Sequence, residues 1–220
     1  MKQDKIEILK VIVGSQAHEL ADENSDYDYR AVYVLPTSKI LSLGYKYKGN
    51  DWIEGETDNT SYEIGHFLQL AFKCNPTILE VFKAPIVEST PDGLALRELF
   101  PYVWNSKGVF EAFTGYSLNQ RKKFLDKKDN RQNKYATAYI RTLFNLCQLL
   151  ETNNFDVHIP KSSIRDILLR FKKGDYKIGE VIDEAEFWIL QAKKLLAKYN
   201  HESNIETVNN FLLQLRRNYW

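Results

Sequence analysis

The chain has 220 residues, 44% of them hydrophobic, and 30 Lys and Arg balance 29 Asp and Glu. That length suits one large domain or two small ones with a well-filled core, and no apolar run is long enough to span a bilayer as a helix. A formal net charge of +1 excludes a globally basic nucleic-acid binder, so any basic surface must be local.

Met1-Lys-Gln-Asp-Lys opens into a strand rather than a signal peptide. The strand is expected from Lys5 to Val13, whose β-branched end suits a buried position. A short helix is expected over Ser15–Ala21, then a second strand over Tyr29–Leu35, stopped by Pro36. Residues 37–55 are rich in Gly, Lys and Tyr. They read as a loop with a possible helical turn. Thr57–Ser61 could form a third strand, leading into a helix over Tyr62–Lys73 with Ile64, Phe67, Leu68, Ala71 and Phe72 on one side. Asn75 is placed to cap the next helix, with Pro76 at its first position. Cys74 and Cys147 lack metal-ligand spacing and read as reduced thiols in a cytoplasmic protein, filling core positions. A strand at Ile86–Glu88 and a helix over Asp92–Phe100 follow. Helical patterns then dominate: Val109–Lys127, Lys134–Glu151, Lys161–Lys172, Ile178–Tyr199 and Ile205–Asn218. The expected class is α+β, with residues 1–105 as a small mixed sheet with helices and residues 106–220 all helical.

The chemistry concentrates in Val11-Ile-Val-Gly14-Ser15 and Ser25-Asp26-Tyr-Asp28-Tyr-Arg30. Gly14 allows a sharp turn and a close approach. Ser15 stands where a helix begins, so free N–H groups and a hydroxyl meet in a phosphate cradle. Asp26 and Asp28 are two apart and share a face if both lie on a strand. Paired carboxylates repel unless a cation lies between them, and Mg²⁺ (or Mn²⁺) prefers such oxygen ligands. Asp22-x-Asn24-x-Asp26 also begins like a calcium loop, but Tyr27 and Tyr33 stand where that loop needs Gly and Glu. A phosphate cradle beside a metal pair is the apparatus of phosphoryl or nucleotidyl transfer.

Gly14-Ser15, a spacer and Ser25-Asp26-x-Asp28 resemble the signature of the DNA polymerase β-like nucleotidyltransferase superfamily. With Arg30, Asn75-Pro76-Thr-Ile-Leu-Glu80 and Lys134-Tyr-Ala-Thr-Ala-Tyr-Ile-Arg141, the chain is similar over most of its length to a predicted nucleotidyltransferase family associated with RNA repair. That family is common in bacteria and large phages. The resemblance implies a polymerase β-like core with a helical domain closing one wall of the cleft. It implies transfer of a nucleoside monophosphate from an NTP to a hydroxyl, with an RNA end, such as that of a tRNA, as acceptor.

The superfamily adds a third carboxylate on a neighbouring strand, because two metals about 3.5–4 Å apart need several bridging oxygens. Asp58 fits that order best. Glu63 is the alternative, with Glu56 behind them, and Asp58 could equally sit in an exposed turn with Asn59. Arg30 faces the side of Asp28 and could bind phosphate or form a structural ion pair. Lys134 and Arg141 are seven apart and share a helix face. The resemblance turns that face into the cleft, where the two cations could hold the triphosphate. Ala138 stands where the family often has His. Arg121, Lys122, Lys123 and Lys127, with Lys128, Arg131 and interleaved Tyr116, Phe124 and Tyr135, could bind an RNA backbone or form a solvated helix end. Asn75 and Glu80 read as a helix cap and a helix-surface residue, and His18 is given no catalytic role. Two further readings keep the same fold: nucleotidylation of a protein or small molecule, and a non-catalytic nucleotide- or RNA-binding module.

Overall fold

The computed structural model describes residues 5–23, 25–46, 50–52, 59–126 and 129–220. The β-branched run at the start extends as β1 (Ile6–Val13). It turns directly into α1 (Gly14–Ala17), a single turn and shorter than expected. Glu19 adopts the left-handed φ of 53°, which takes the chain out of helical geometry. β2 (Asp28–Val34) returns antiparallel to β1, with Val13 opposite Asp28 and Val11 opposite Arg30. The helical turn after Pro36 is α2 (Thr37–Ile40).

β3 (Asn50–Trp52) lies in a stretch whose composition suggested only a loop. Its pairing with β4 (Thr60–Glu63) is antiparallel, and such cross-strand partners cannot be read from local composition. β4 runs parallel to β2, with Arg30 opposite Thr60 and Tyr33 opposite Glu63. It therefore extends beyond the strand expected at Thr57–Ser61, whose first two residues lie outside the described ones. The next helix, α3 (Ile64–Phe72), starts later than predicted because Glu63 caps it, accepting from Gly65 N at 2.7 Å. Asn75 caps α4 (Pro76–Lys83) as expected, accepting from Thr77 N at 3.0 Å. β5 (Ile86–Ser89) joins the other edge of β1. The resulting mixed sheet has the order β3-β4-β2-β1-β5, and α5 (Pro91–Glu98) follows it.

From Ser106 onward the described elements are helices: α6 (Ser106–Asp126), α7 (Gln132–Thr152), α8 (Ser163–Lys173), α9 (Ile178–Lys198) and α10 (Ile205–Asn218). The class is α+β, a small mixed sheet with helices and a C-terminal helical region. One hydrophobic cluster runs through both parts, joining Val11, Val32, Phe67 and Phe82 to Leu149 of α7 and Leu215 of α10. A second cluster lies among α6 to α9 and takes in Leu20 from beside α1. Cys74 and Cys147 are buried free thiols, and burial pushes the Cys147 thiol up to about 12. Among the described residues no helix is long and apolar enough to cross a membrane.

Candidate functional site

The end of β1 and the start of β2 lie side by side, so the β1–α1 turn meets the first carboxylate of β2. Gly14 has φ +71°, and a Cβ built on it would stand 2.6 Å from Asp28 Oδ2. Only glycine meets both conditions, the left-handed backbone and the space taken by the carboxylate. Because α1 is one turn long, it contributes little helix dipole, and any anion held there relies on the turn itself and on Ser15.

Asp26 lies in the lead-in to β2 rather than on the strand, so alternation along a strand does not bring it to Asp28. The pinned turn before it places it on the cleft that Asp28 also lines. Lys172 of α8 donates to Leu20 O at 2.7 Å and Ser25 Oγ at 2.9 Å, and meets Asp22 Oδ2 at 2.9 Å. Gln16 Nε2 donates to Ser25 O at 3.1 Å. Arg165 donates to Ile159 O at 2.9 Å and to Glu19 O, and Ile159 N donates to His18 O at 3.4 Å. The segment leading to Asp26 is thus seated on the helical part of the chain. Sequence reading missed Lys172, since nothing local links α8 to residues 18–25.

These elements open onto a cleft of about 430 Å³. Gly14, Ser15, Asp26 and Asp28 line one wall, while Lys134 and Arg141 of α7 line the other. Ala138 is also on that wall, together with Arg131 and Asn133. Arg30 is half-buried and does not line the cleft; its Nη1 donates to Tyr29 O at 2.8 Å. Glu56, Asp58 and Lys127 lie outside the described residues. Glu63 is fully buried and is engaged away from the cleft, pairing with Arg216 of α10 at 2.6 Å while it caps α3. Arg121, Lys122 and Lys123 are exposed on the last turns of α6. Of the aromatics near them, Phe124 is a core residue at 2% exposure and offers no stacking surface. Tyr135 lies under Lys123, with Nζ 5.5 Å from the ring centre, and donates its hydroxyl to Asp129 at 2.6 Å.

The sequence places Glu80 on a helix surface, and the structure corrects this. Its side chain is 9% exposed and lies between His18 Nε2, 3.3 Å from Oε1, and Arg141 Nη1, 3.7 Å from Oε2. The other ring nitrogen of His18 is 2.8 Å from Val157 O. A carbonyl only accepts, so Nδ1 carries a proton. Burial, reinforced by the Arg141 charge, pulls the His18 pKa down to about 4 against the opposing pull of Glu80. Residues from β1–α1, α4 and α7 therefore meet under the cleft floor.

Two carboxylates beside a glycine-only turn form a hard-oxygen donor set that fits Mg²⁺ or Mn²⁺. Among the described residues no group of three or more His, Cys, Asp or Glu side chains is assembled around a metal position. No curated protein matches the sequence. A family model described as the RNA repair pathway DNA polymerase beta family matches residues 2–215. With nearly the whole chain matched, and with the glycine turn, the aspartate pair and the α7 cations on one cleft, the chain belongs to that family of polymerase β-like nucleotidyltransferases.

Proposed function

We propose that the protein transfers a nucleoside monophosphate from an NTP to the hydroxyl of an RNA end, releasing pyrophosphate. The observation that carries this reading is the convergence of Gly14, Ser15, Asp26, Asp28, Lys134 and Arg141 on one cleft. Gly14 and Ser15 receive the β- and γ-phosphates, because the turn admits close approach and the hydroxyl can donate. Lys134 and Arg141 offset the triphosphate charge from the opposite wall. Asp26 and Asp28 are the metal ligands, with Asp58 assigned as the third carboxylate on its place in the sequence. A divalent cation held there would supply Lewis-acid stabilisation of the charge that develops on the α-phosphate. Arg30, held against the Tyr29 carbonyl and outside the cleft lining, is assigned to supporting the carboxylate strand rather than to phosphate. The exposed cations Arg121, Lys122 and Lys123, with Lys127, are assigned to the acceptor backbone.

The reaction is tested by incubating the protein with labelled NTPs, Mg²⁺ and total RNA, following label in RNA and pyrophosphate release. Label in RNA supports the reading. Pyrophosphate release with label on protein or a small molecule would move the acceptor to those classes. RNA binding with no release in Mg²⁺ or Mn²⁺ would leave a binding module.

A further inference from the structure

Glu80 is buried behind His18 and Arg141, two residues of the cleft lining, and has itself no part in the chemistry described above. Glu80 sits on α4 among apolar side chains, with Ile78, Leu79 and Phe82 each 1% exposed or less. An ionised carboxylate in such surroundings needs a counter-charge. His18 supplies little, because its Nδ1 proton goes to Val157 and burial holds the ring neutral. His18 Nε2 and Glu80 Oε1 face each other without a hydrogen-bond partner for either atom. Arg141 is the cation on the other carboxylate oxygen, at 3.7 Å. That separation is longer than a hydrogen bond. The contact fixes the guanidinium by charge and leaves its donors for an anionic ligand. Tyr116 of α6 is a further titratable group at this junction. It lines the small cavity shared with Glu80 and Arg141, and burial pushes its phenol upward.

We propose that Glu80 is a positioning residue for nucleotide binding, holding Arg141 at the cleft floor so that its guanidinium meets the phosphates of the NTP, with His18 as the neutral second neighbour that bounds the carboxylate. The inference rests on the nucleotidyltransferase reading for the identity of the ligand. Any polyphosphate anion that occupies the cleft meets the same arrangement. An anchored guanidinium binds ground state and transition state alike, so its loss should raise KM and spare kcat.

The test is a double-mutant cycle of Glu80→Gln and Arg141→Met, read by calorimetry with inorganic tripolyphosphate and by KM and kcat for NTP. Glu80→Gln alone is expected to weaken tripolyphosphate binding about tenfold and raise KM similarly, with kcat within about twofold of wild type. In the Arg141→Met background the same change should add nothing. Full additivity, or unchanged affinity in Glu80→Gln, overturns the proposal. Should Glu80→Gln fail to fold, nitrogen NMR of the His18 ring in wild type and Arg141→Met decides. Removing Arg141 leaves Glu80 to His18 alone and should raise the ring's titration midpoint; unmoved His18 signals overturn the proposal. Wild type that binds tripolyphosphate but releases no pyrophosphate from any NTP would sink the proposed reaction, and the cycle would still judge Glu80. Wild type that does not bind tripolyphosphate overturns the role of Glu80 as well.

Discussion

Substituting Gly14 with alanine separates what the turn contributes to stability from what it contributes to the reaction. At φ +71° an L-residue carries a left-handed backbone cost of about 1–2 kcal/mol. In a chain of this size each kcal/mol lowers the melting temperature by about 2–4 °C, so a fall of about 2–8 °C is expected. The second effect is local. The new Cβ would stand 2.6 Å from Asp28 Oδ2, closer than any real contact, and the carboxylate is the group that can swing aside. Displacing the carboxylate assigned to the metal by about 1 Å is expected to slow transfer about a hundredfold, more than the lost stability accounts for. Calorimetric melting and Mg²⁺-dependent pyrophosphate release measure the two effects. Wild-type melting together with a wild-type rate in Gly14→Ala would refute the reasoning.

Three other expectations follow from the same geometry. Asp26→Asn or Asp28→Asn should abolish transfer while leaving the fold intact; wild-type turnover in both variants would reject the metal assignment. Reversing Lys122, Lys123 and Lys127 to Glu should flatten the salt dependence of RNA binding, at roughly 0.7 log–log units per lost phosphate contact, and leave NTP affinity unchanged. His18 ordinarily titrates at 6.5 and is pulled down to about 4 in the fold. Between those values the unfolded chain binds the extra proton, so stability should fall as pH drops through the window, by up to about 3 kcal/mol. The variant His18→Gln should show a shallower fall in melting temperature between pH 6.5 and 4; an identical slope would refute the assignment of His18 as the titrating group.

What the sequence revealed and what it hid divide along the range of the interactions concerned. Gly14-Ser15 and Asp26-x-Asp28 are legible because turn chemistry and a carboxylate pair are local patterns, and Asn75-Pro76 names its helix start for the same reason. The helices of the second half were legible from periodicity, with ends shifted by a few residues. Glu80 was not, because a helical wheel sets it opposite the Ile78 and Phe82 stripe, where charge normally meets water. What covers it comes from α6 and α7, far away in sequence. β3 was hidden likewise, since its strand character depends on pairing with β4. Lys172 and Glu63 show the same limit in the polar network. One seats a turn some 150 residues distant (the Leu20 carbonyl is 152 residues away). The other, a candidate metal ligand by position, is committed to a helix cap and an arginine of α10.

The seating of residues 18–25 has a consequence for how this protein can vary. Its anchors are addressed largely to the main chain: Lys172 to the Leu20 carbonyl, Arg165 to the Glu19 carbonyl, Gln16 to the Ser25 carbonyl, and the Ile159 amide to the His18 carbonyl. A carbonyl is present whatever side chain accompanies it. An exchange at Leu20 or Glu19 therefore leaves these main-chain bonds available, although Leu20 also fills the second core cluster and the Glu19 carboxylate also pairs with His158 and Arg165, whereas loss of the donor side chains of Lys172, Arg165 or Gln16 removes the bonds outright. Freedom to mutate is thus distributed unevenly across this contact. The main-chain part of the seating of Asp26 is indifferent to the segment's own side chains and depends on donors from α1 and from α8, a helix that itself carries no carboxylate into the cleft.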